Sequence, residues 1–324
     1  ISKLHLLDGD IDKQEINREI KLNKLISDIP NSNYWSVVLY KSCISPNYDD
    51  FKSYDKDIDR CLKKNNVDYP INNIMLYGPY GGISMVEYFV KLYKNKIKPN
   101  INNERIIQNV VDKFMFESLP LFIGIDALYN NNIVHYDIKP SNIVFNKSLK
   151  YIDFGISCKM NNFKQIKSRA LDEFNTGRIY PYYPYELIYL YASNLELYKE
   201  KITPYRNFNK DIVYYHSLFD RDHNDILPSI IDYSINHNSK SYQSNLIKKL
   251  DTYSLGISIV RLLCDYLNKT EIKKLFNYPS FAPYKELLRN MTEPFYYDRI
   301  SSKGALNELK SIQNNPINIS VNQK

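Results

Sequence analysis

Residues 131–146 read NNIVHYDIKPSNIVFN, with His135, Asp137, Lys139, Ser141 and Asn142 set between two short apolar runs. Asp137 follows an apolar stretch and faces a turn, where a carboxylate can orient a hydroxyl or accept its proton. Lys139, two residues on, falls on the same side in extended geometry and can neutralise charge growing on a transferred group. Asn142 offers an amide oxygen, a hard ligand suited to Mg2+. Eleven residues after Asn142 comes Asp153, followed by Phe154 and Gly155. A hairpin between this stretch and KYIDFGIS at 150–157 brings Asn142 and Asp153 together as oxygen ligands. Gly155 supplies a sharp turn there. An Asp-x-Lys pair alone is commonly surface, and Asp-Phe-Gly alone is commonly a turn. In order and at hairpin spacing, the set suits metal-assisted phosphoryl transfer.

The flanking elements must hold those groups in place. Ile16, Ile20, Leu22, Leu25 and Ile26 recur at helical spacing, predicting a helix over 12–29 with Asp12 as its cap and Pro30 ending it. YWSVVLY (34–40) and NNIMLY (72–77) read as strands. Residues 43–70 read as an exposed polar insertion with a short helix. GPYGG (78–82) holds three of the chain's nine glycines and breaks the chain. A helix over 84–93 follows, capped by Ser84. The apolar run 102–131 predicts a long helix kinked at Pro120. A second polar excursion covers about 195–245. Helices are predicted at 250–267, 284–292 and 301–312, the last capped by Ser301 or Ser302, before a polar tail at 313–324. Strands first and helices later make the class α+β.

HYDIKPSN followed by DFG resembles the catalytic and magnesium loops of the eukaryotic-type protein kinase family. Further landmarks stand in the family's order. YPYYPYE (180–186) resembles the end of the activation segment, with Glu186 in its Pro-Glu signature. DTYSLG (251–256) resembles the start of the long buried helix, whose Asp251 holds the catalytic-loop backbone. Arg299 in YYDRISSKGAL (296–306) resembles the arginine that pairs with Glu186. LYGPYGGISM (76–85) resembles the hinge, with Leu76 near the gatekeeper position and Tyr77 and Pro79 beside the nucleotide. ISKL (1–4) resembles the third strand and NREIKLNKLI (17–26) the regulatory helix, so Lys3 would bind phosphate and Glu19 would pair with it, Glu15 being the weaker rival.

The resemblance covers residues 1 to about 312. It implies a bilobal fold: an N-lobe at 1–77, a hinge at 78–83, a mostly helical C-lobe at 84–312 and the tail. It implies ATP and Mg2+, with Mn2+ as a substitute, and protein substrates phosphorylated on Ser or Thr. The roles are Asp137 for the acceptor, Lys139 for the γ-phosphoryl, and Asn142 and Asp153 for the metal. His135, Phe154 and Gly155 are structural. The family's Gly-rich loop and first two strands are expected before Ile1. Tyr136 replaces the family's arginine, which receives an activation-segment phosphate; a tyrosine cannot, so activity should not depend on phosphate through this contact. The threonine expected near the end of that segment has Thr176 as its candidate, a few residues early. An aminoglycoside- or choline-type small-molecule kinase shares the Asp…Asn…Asp core, and a pseudokinase module is the non-catalytic alternative.

Composition narrows the partners. The net charge is +7, but the lysines are scattered, so no nucleic-acid face is indicated. Apolar residues make up 44% of the chain, enough for a sizeable core. No apolar run reaches the roughly 18 residues needed for a membrane span, and no leader peptide is seen. Cys43, Cys61, Cys158 and Cys264 are dispersed, without metal-ligand spacing, which fits a reducing intracellular compartment. Thirty Tyr against nine Gly suggest an AT-rich genome; the bias resembles that of kinases encoded by large DNA viruses, and AT-rich protists would give the same, so the expected location is the cytoplasm, or the virion if the source is viral. A monomer is the default state.

Overall fold

The computed structural model describes residues 2–5, 10–39, 41–44, 47–54, 74–94, 103–175, 180–184, 186–187, 210–236 and 239–314. Among these residues three small antiparallel sheets accompany a mostly helical remainder. The first has β1 (Ser2–His5) and β2 (Lys41–Ile44) on either side of β3 (Ile74–Tyr77). Lys3 lies opposite Leu76 in this register. The second orders β4 (Ile83–Ser84), β6 (Ile143–Asn146) and β7 (Ser148–Tyr151). The third pairs β5 (Ile133–Val134) with β8 (Cys158–Lys159).

Helix α1 (Asp10–Ser27) begins two residues before the expected cap, so Asp12 lies inside it. The sequence between α1 and β2 departs further from expectation. The described residues of that run, 34–39, do not form a strand. Ser32–Trp35 is a short helix, α2, and only Ser36 makes a bridge, to Tyr151. The extended backbone after it is held by single contacts: Val37 N–H donates to the Tyr151 carbonyl at 2.9 Å, and Leu39 N–H to the buried Asn23 Oδ1 at 3.0 Å. β-Rich composition there reflects burial of Val37, Val38 and Leu39, not sheet membership. The strand falls instead at 41–44, overlapping the start of the expected insertion at 43–70. The short helix expected in that insertion is α3 (Tyr48–Tyr54).

Helix α4 (Met85–Lys94) is closed by a reciprocal cap in which Ser84 Oγ accepts from Glu87 N–H and Glu87 Oε2 accepts from Ser84 N–H. The run 102–131 is two helices, α5 (Asn103–Glu117) and α6 (Leu119–Asn130), and not one kinked helix. Ser118 breaks the run, its hydroxyl donating to the Met115 carbonyl at 2.6 Å, and Pro120 sits in the first turn of α6, where its missing N–H costs nothing. Helix α7 (Phe163–Asn175) precedes α8 (Lys210–Ser217), α9 (His223–Asn236) and α10 (Lys240–Lys248). These last three correct the reading of 195–245 as a surface excursion over its described residues, where Tyr215, Phe219, Ile230 and Tyr242 are buried. Their apolar spacing was diluted by Asn and Tyr, which masks the period.

Helix α11 (Leu250–Tyr266) is the axis of the helical part, with 13 of its 17 residues buried. Around it lie α12 (Lys269–Asn277), α13 (Ala282–Met291) and α14 (Ser302–Asn314), the last begun by Ser301 Oγ accepting from Gly304 N–H. One buried cluster links α11 to α5 and α6 and reaches Leu22, Ile26 and Trp35. Gly124 on α6 is the contact point: a Cβ there would lie 2.8 Å from the Tyr151 ring and 3.0 Å from Trp35. Among the described residues no helix is long and apolar enough to cross a membrane.

Candidate active site

β5, β6 and β7 carry the loops of interest. Between β5 and β6 lies the Asp137 loop, ending in a 3-10 turn at Pro140–Asn142. Between β7 and β8 lies Asp153-Phe154-Gly155. β6 and β7 form the expected hairpin, in register from Ile143↔Tyr151 to Asn146↔Ser148, and Ile152 N–H donates to the Asn142 carbonyl at 3.0 Å. Asn142 and Asp153 therefore stand at the same end of two adjoining strands. Gly82, at φ 98°, lets β4 join this sheet, because a Cβ there would lie 1.9 Å from the Phe145 carbonyl oxygen.

The Asp137 loop is strapped from below. Asp251, in the first turn of α11, accepts from the His135 N–H at 2.7 Å and the Tyr136 N–H at 3.1 Å. Burial pushes the Asp251 carboxyl up, against the pull of His135 and these two bonds. Ser258 Oγ, two turns along the same helix face, donates to the Ile138 carbonyl at 3.3 Å. Ser254 Oγ, between them, donates to the Tyr182 carbonyl at 2.8 Å. One buried helix thus holds both the Asp137 loop and the 180–184 segment. His135 packs its ring 4.7 Å from Phe154 and accepts from Asp137 N–H at 3.3 Å. Burial drives its pKa below the ordinary value despite three nearby carboxylates, so the ring stays neutral.

The Asp137 carboxylate collects three side-chain donors. Lys139 Nζ lies 3.2 Å from Oδ1 and 3.0 Å from Oδ2, Asn142 Nδ2 lies 2.8 Å from Oδ2, and Tyr180 Oη lies 2.5 Å from Oδ1. Asn142 Nδ2 also donates to the Asp137 carbonyl. Both Asn142 side-chain bonds leave from nitrogen, which keeps Oδ1 as the atom suited to a hard cation. Asp153 is exposed, and its Oδ1 accepts from Gly155 N–H at 3.4 Å. The left-handed residue of that turn is Asp153 itself, at φ 61°, and not Gly155. An Asp tolerates this region better than most residues and needs no glycine.

Tyr136 is the strained residue of the loop: fully buried, with φ 68°. A bulky side chain there costs of order 1–3 kcal/mol and persists only when its surroundings fix it. Those surroundings are specific. Its hydroxyl donates to the Ile166 carbonyl at 2.8 Å, its carbonyl accepts from Tyr183 Oη at 2.8 Å, and its ring stacks on Tyr183 with centroids 5.0 Å apart. The Arg169 guanidinium lies 5.9 Å from the Tyr136 ring and donates to Tyr183 Oη at 2.9 Å. Tyr136 therefore ties α7 and the 180–184 segment to the Asp137 loop without a charged group of its own.

Farther out, Arg299 Nη2 meets Glu186 Oε2 at 2.6 Å with both side chains buried, and the half-buried Tyr296 N–H donates to Glu186 Oε1 at 2.5 Å. Burial raises the Glu186 carboxyl, opposed by Arg299. The Arg299 guanidinium also lies over the Tyr253 ring at 5.0 Å. Glu19 is buried on α1, while Glu15, its rival, is exposed and lies 3.9 Å from Arg18. Leu76 is fully buried; Tyr77 and Pro79 are exposed. Thr176 lies outside the described residues.

Sequence reasoning passed over Tyr180, Tyr183, Arg169, Asn23 and the Ser254–Ser258 pair. Asp251, Ser254 and Ser258 do carry a signal: polar residues at i, i+3 and i+7 on an otherwise apolar helix mark one face that holds something.

Residues 81–183 match the family model described as protein kinase domain. A stretch of 228 residues, 67% of the chain, is 25% identical to calcium-dependent protein kinase 6 of Plasmodium berghei (strain Anka), covering 14% of that protein. A stretch of 97 residues, 25% of the chain, is 38% identical to a protein of Acanthamoeba polyphaga mimivirus named as a serine/threonine-protein kinase, covering 35% of it. The chain thus spans well under half the length of either relative. The matched segment contains the Asp137 loop, the Asp153 turn and the Tyr180–Tyr183 segment, and over it the chain is similar to protein kinase domains.

Proposed function

We propose that the chain is a protein kinase that transfers the γ-phosphoryl group of ATP to Ser or Thr hydroxyls of protein substrates. The observation that carries the reading is the Asp137 carboxylate, held by Lys139 and Asn142 on a loop strapped to Asp251, with Asp153 across the hairpin. In that arrangement Asp137 orients the acceptor hydroxyl and takes its proton, and Lys139 turns its ammonium to the γ-phosphoryl. Asn142 Oδ1 and the Asp153 carboxylate form a hard-oxygen pair that suits Mg2+, or Mn2+ in its place. Such a metal supplies charge neutralisation on the phosphate oxygens. Lys3, paired with Glu19, serves the α/β-phosphates, and Leu76, Tyr77 and Pro79 border the base.

The corresponding division is an N-lobe at 1–77, a hinge at 78–83 and a C-lobe at 84–312. His135, Phe154, Gly155, Glu186, Asp251 and Arg299 position the loops. Catalysis is then mostly placement and electrostatics. Full-length chain with Mg-ATP and a general basic protein substrate tests the reading. Transfer of phosphate to Ser or Thr is expected, falling about a hundred- to ten-thousand-fold in Asp137→Asn, the range of a lost acid–base group, and collapsing in Asp153→Ala. Transfer that survives Asp153→Ala, or no protein phosphorylation at all, removes it.

A further inference from the structure

Asp251, Ser254, Ser258, Arg261 and Asp265 fall at i, i+3, i+7, i+10 and i+14 of α11, along one face of the helix. The first three hold the Asp137 loop and the 180–184 segment. From Leu250 to Val260 every residue of α11 is buried, and Arg261 is the first to reach the surface. We propose that Arg261 selects the substrate: it receives a carboxylate side chain a few residues from the acceptor hydroxyl, so that the chain favours Ser and Thr set in acidic sequence. The proposal deepens the kinase reading above and rests on it.

The placement of Arg261 leads to it. Its guanidinium lies 5.2 Å from the Tyr182 ring centroid. Tyr182 leans on Tyr180, with centroids 5.3 Å apart, and Tyr180 Oη lies 2.5 Å from the Asp137 carboxylate. Two half-buried rings thus separate the guanidinium from the group that orients the acceptor. An extended substrate covers that interval in about two to four residues, at roughly 3.3 Å each. The Tyr182 backbone is fixed, because Ser254 Oγ donates to its carbonyl at 2.8 Å. A cation laid on the face of that ring is held in place by it. Burial raises the Tyr182 phenol, Arg261 opposes the rise, and Asp265 and Asp137 add to it, so the charges at both ends of the strip act on this ring.

The charge already facing Arg261 is exchangeable. Asp265 Oδ2 meets Arg261 Nε at 3.5 Å, with the Asp265 side chain 49% and the Arg261 side chain 28% exposed. A pair open to water in this way is screened and holds weakly, so an arriving carboxylate can trade places with Asp265. Arginine suits the trade, since its planar fork takes a carboxylate by two parallel N–H bonds. A lysine or arginine in the substrate would instead bring a second cation to the same place. The selection is one of rate, so a basic protein is still phosphorylated at those of its hydroxyls that have acidic neighbours.

Ser peptides on one neutral backbone, carrying a single Asp, Lys or Ala at each of the four places on either side of the acceptor, are given with Mg-ATP to the full-length chain beside a general protein substrate. Asp at two to four places on one side is expected to raise kcat/KM over Ala about threefold to tenfold, the effect of a partly screened charge pair, and Lys to lower it. The gain should shrink as salt rises. Arg261→Glu should reverse the order of Asp and Lys at that place, Arg261→Gln should level it, and Arg261→Lys should keep it in part. Each chain is read as a ratio between its own peptides, so a loss of folded protein does not imitate a change of preference. Equal rates on all peptides, a wild-type preference for Lys, or an Asp preference that survives both Arg261→Glu and Arg261→Gln overturns this proposal and leaves the kinase reading standing. Phosphate on no peptide and none on the general protein overturns both.

Discussion

Replacing Asp251 by Ala removes the acceptor of two buried backbone donors, the N–H groups of His135 and Tyr136, held at 2.7 and 3.1 Å. Each orphaned buried donor costs about 1–3 kcal/mol. Against that, the carboxylate is itself raised in pKa by burial, so its removal returns part of its desolvation cost. A net loss of about 2–4 kcal/mol follows. Asp251→Asn keeps one acceptor oxygen and turns its NH2 toward the other donor, so it should lose about half as much. Urea titration of the three chains reads the order wild type, Asn, Ala. Phosphoryl transfer should fall in the same order, because Tyr136, at φ 68°, loses one of the contacts that hold its strained backbone. The pH dependence has a definite sign. A folded pKa above the ordinary 3.8 makes this group's contribution complete below 3.8, and it is lost as pH rises through the folded value. The wild-type advantage over Asn should therefore shrink from acid toward neutral pH. Two variants within about 0.5 kcal/mol of wild type, the range of inert surface changes, and with full transfer would refute the strap.

Burial, with Asp251 adding, pushes the Cys158 thiol up to about 12 from 9.0, while Cys43 is exposed. Iodoacetamide at pH 8 should label Cys43 and spare Cys158 in the folded chain, and labelling of Cys158 at a comparable rate contradicts the packing around β8. Its raised thiol also contributes stability below 9 that is lost as pH climbs through about 12. Because Tyr136 holds the segment through Ile166 and Tyr183 with no phosphate, phosphatase treatment of the chain should leave turnover unchanged; a large deficit would mean that a phosphate supports the segment.

Chemistry was more legible than architecture in this chain, for a physical reason. Asp137, Lys139, Asn142 and Asp153 lie close in sequence, and the hairpin that joins them is set by two short apolar runs and a local turn at Lys147, φ 64°. Local rules suffice there. The sheet at 41–44 and the helix at 32–35 depend on partners far along the chain, Tyr151 and β3, and on one buried side chain, Asn23. No window of residues around 34–40 contains that information, so β propensity there predicts a strand where residues 37–39 are merely buried without a ladder.

The same distinction explains Tyr136 and Tyr180. A tyrosine in place of the arginine showed in the sequence that charge was missing, but not what replaced it. The replacement is spread over residues 30 to 47 positions away: the Ile166 carbonyl, Arg169 and the Tyr183 ring. Their joint effect is to lay the 180–184 segment against the Asp137 loop, which is what puts the Tyr180 hydroxyl on the carboxylate. The lost arginine and the Tyr180 contact with Asp137 are thus one rearrangement. An arginine at 136 would leave the Ile166 carbonyl without its phenolic donor and Tyr183 without its stacking partner, and with them would go the bracing that keeps Tyr180 on Asp137.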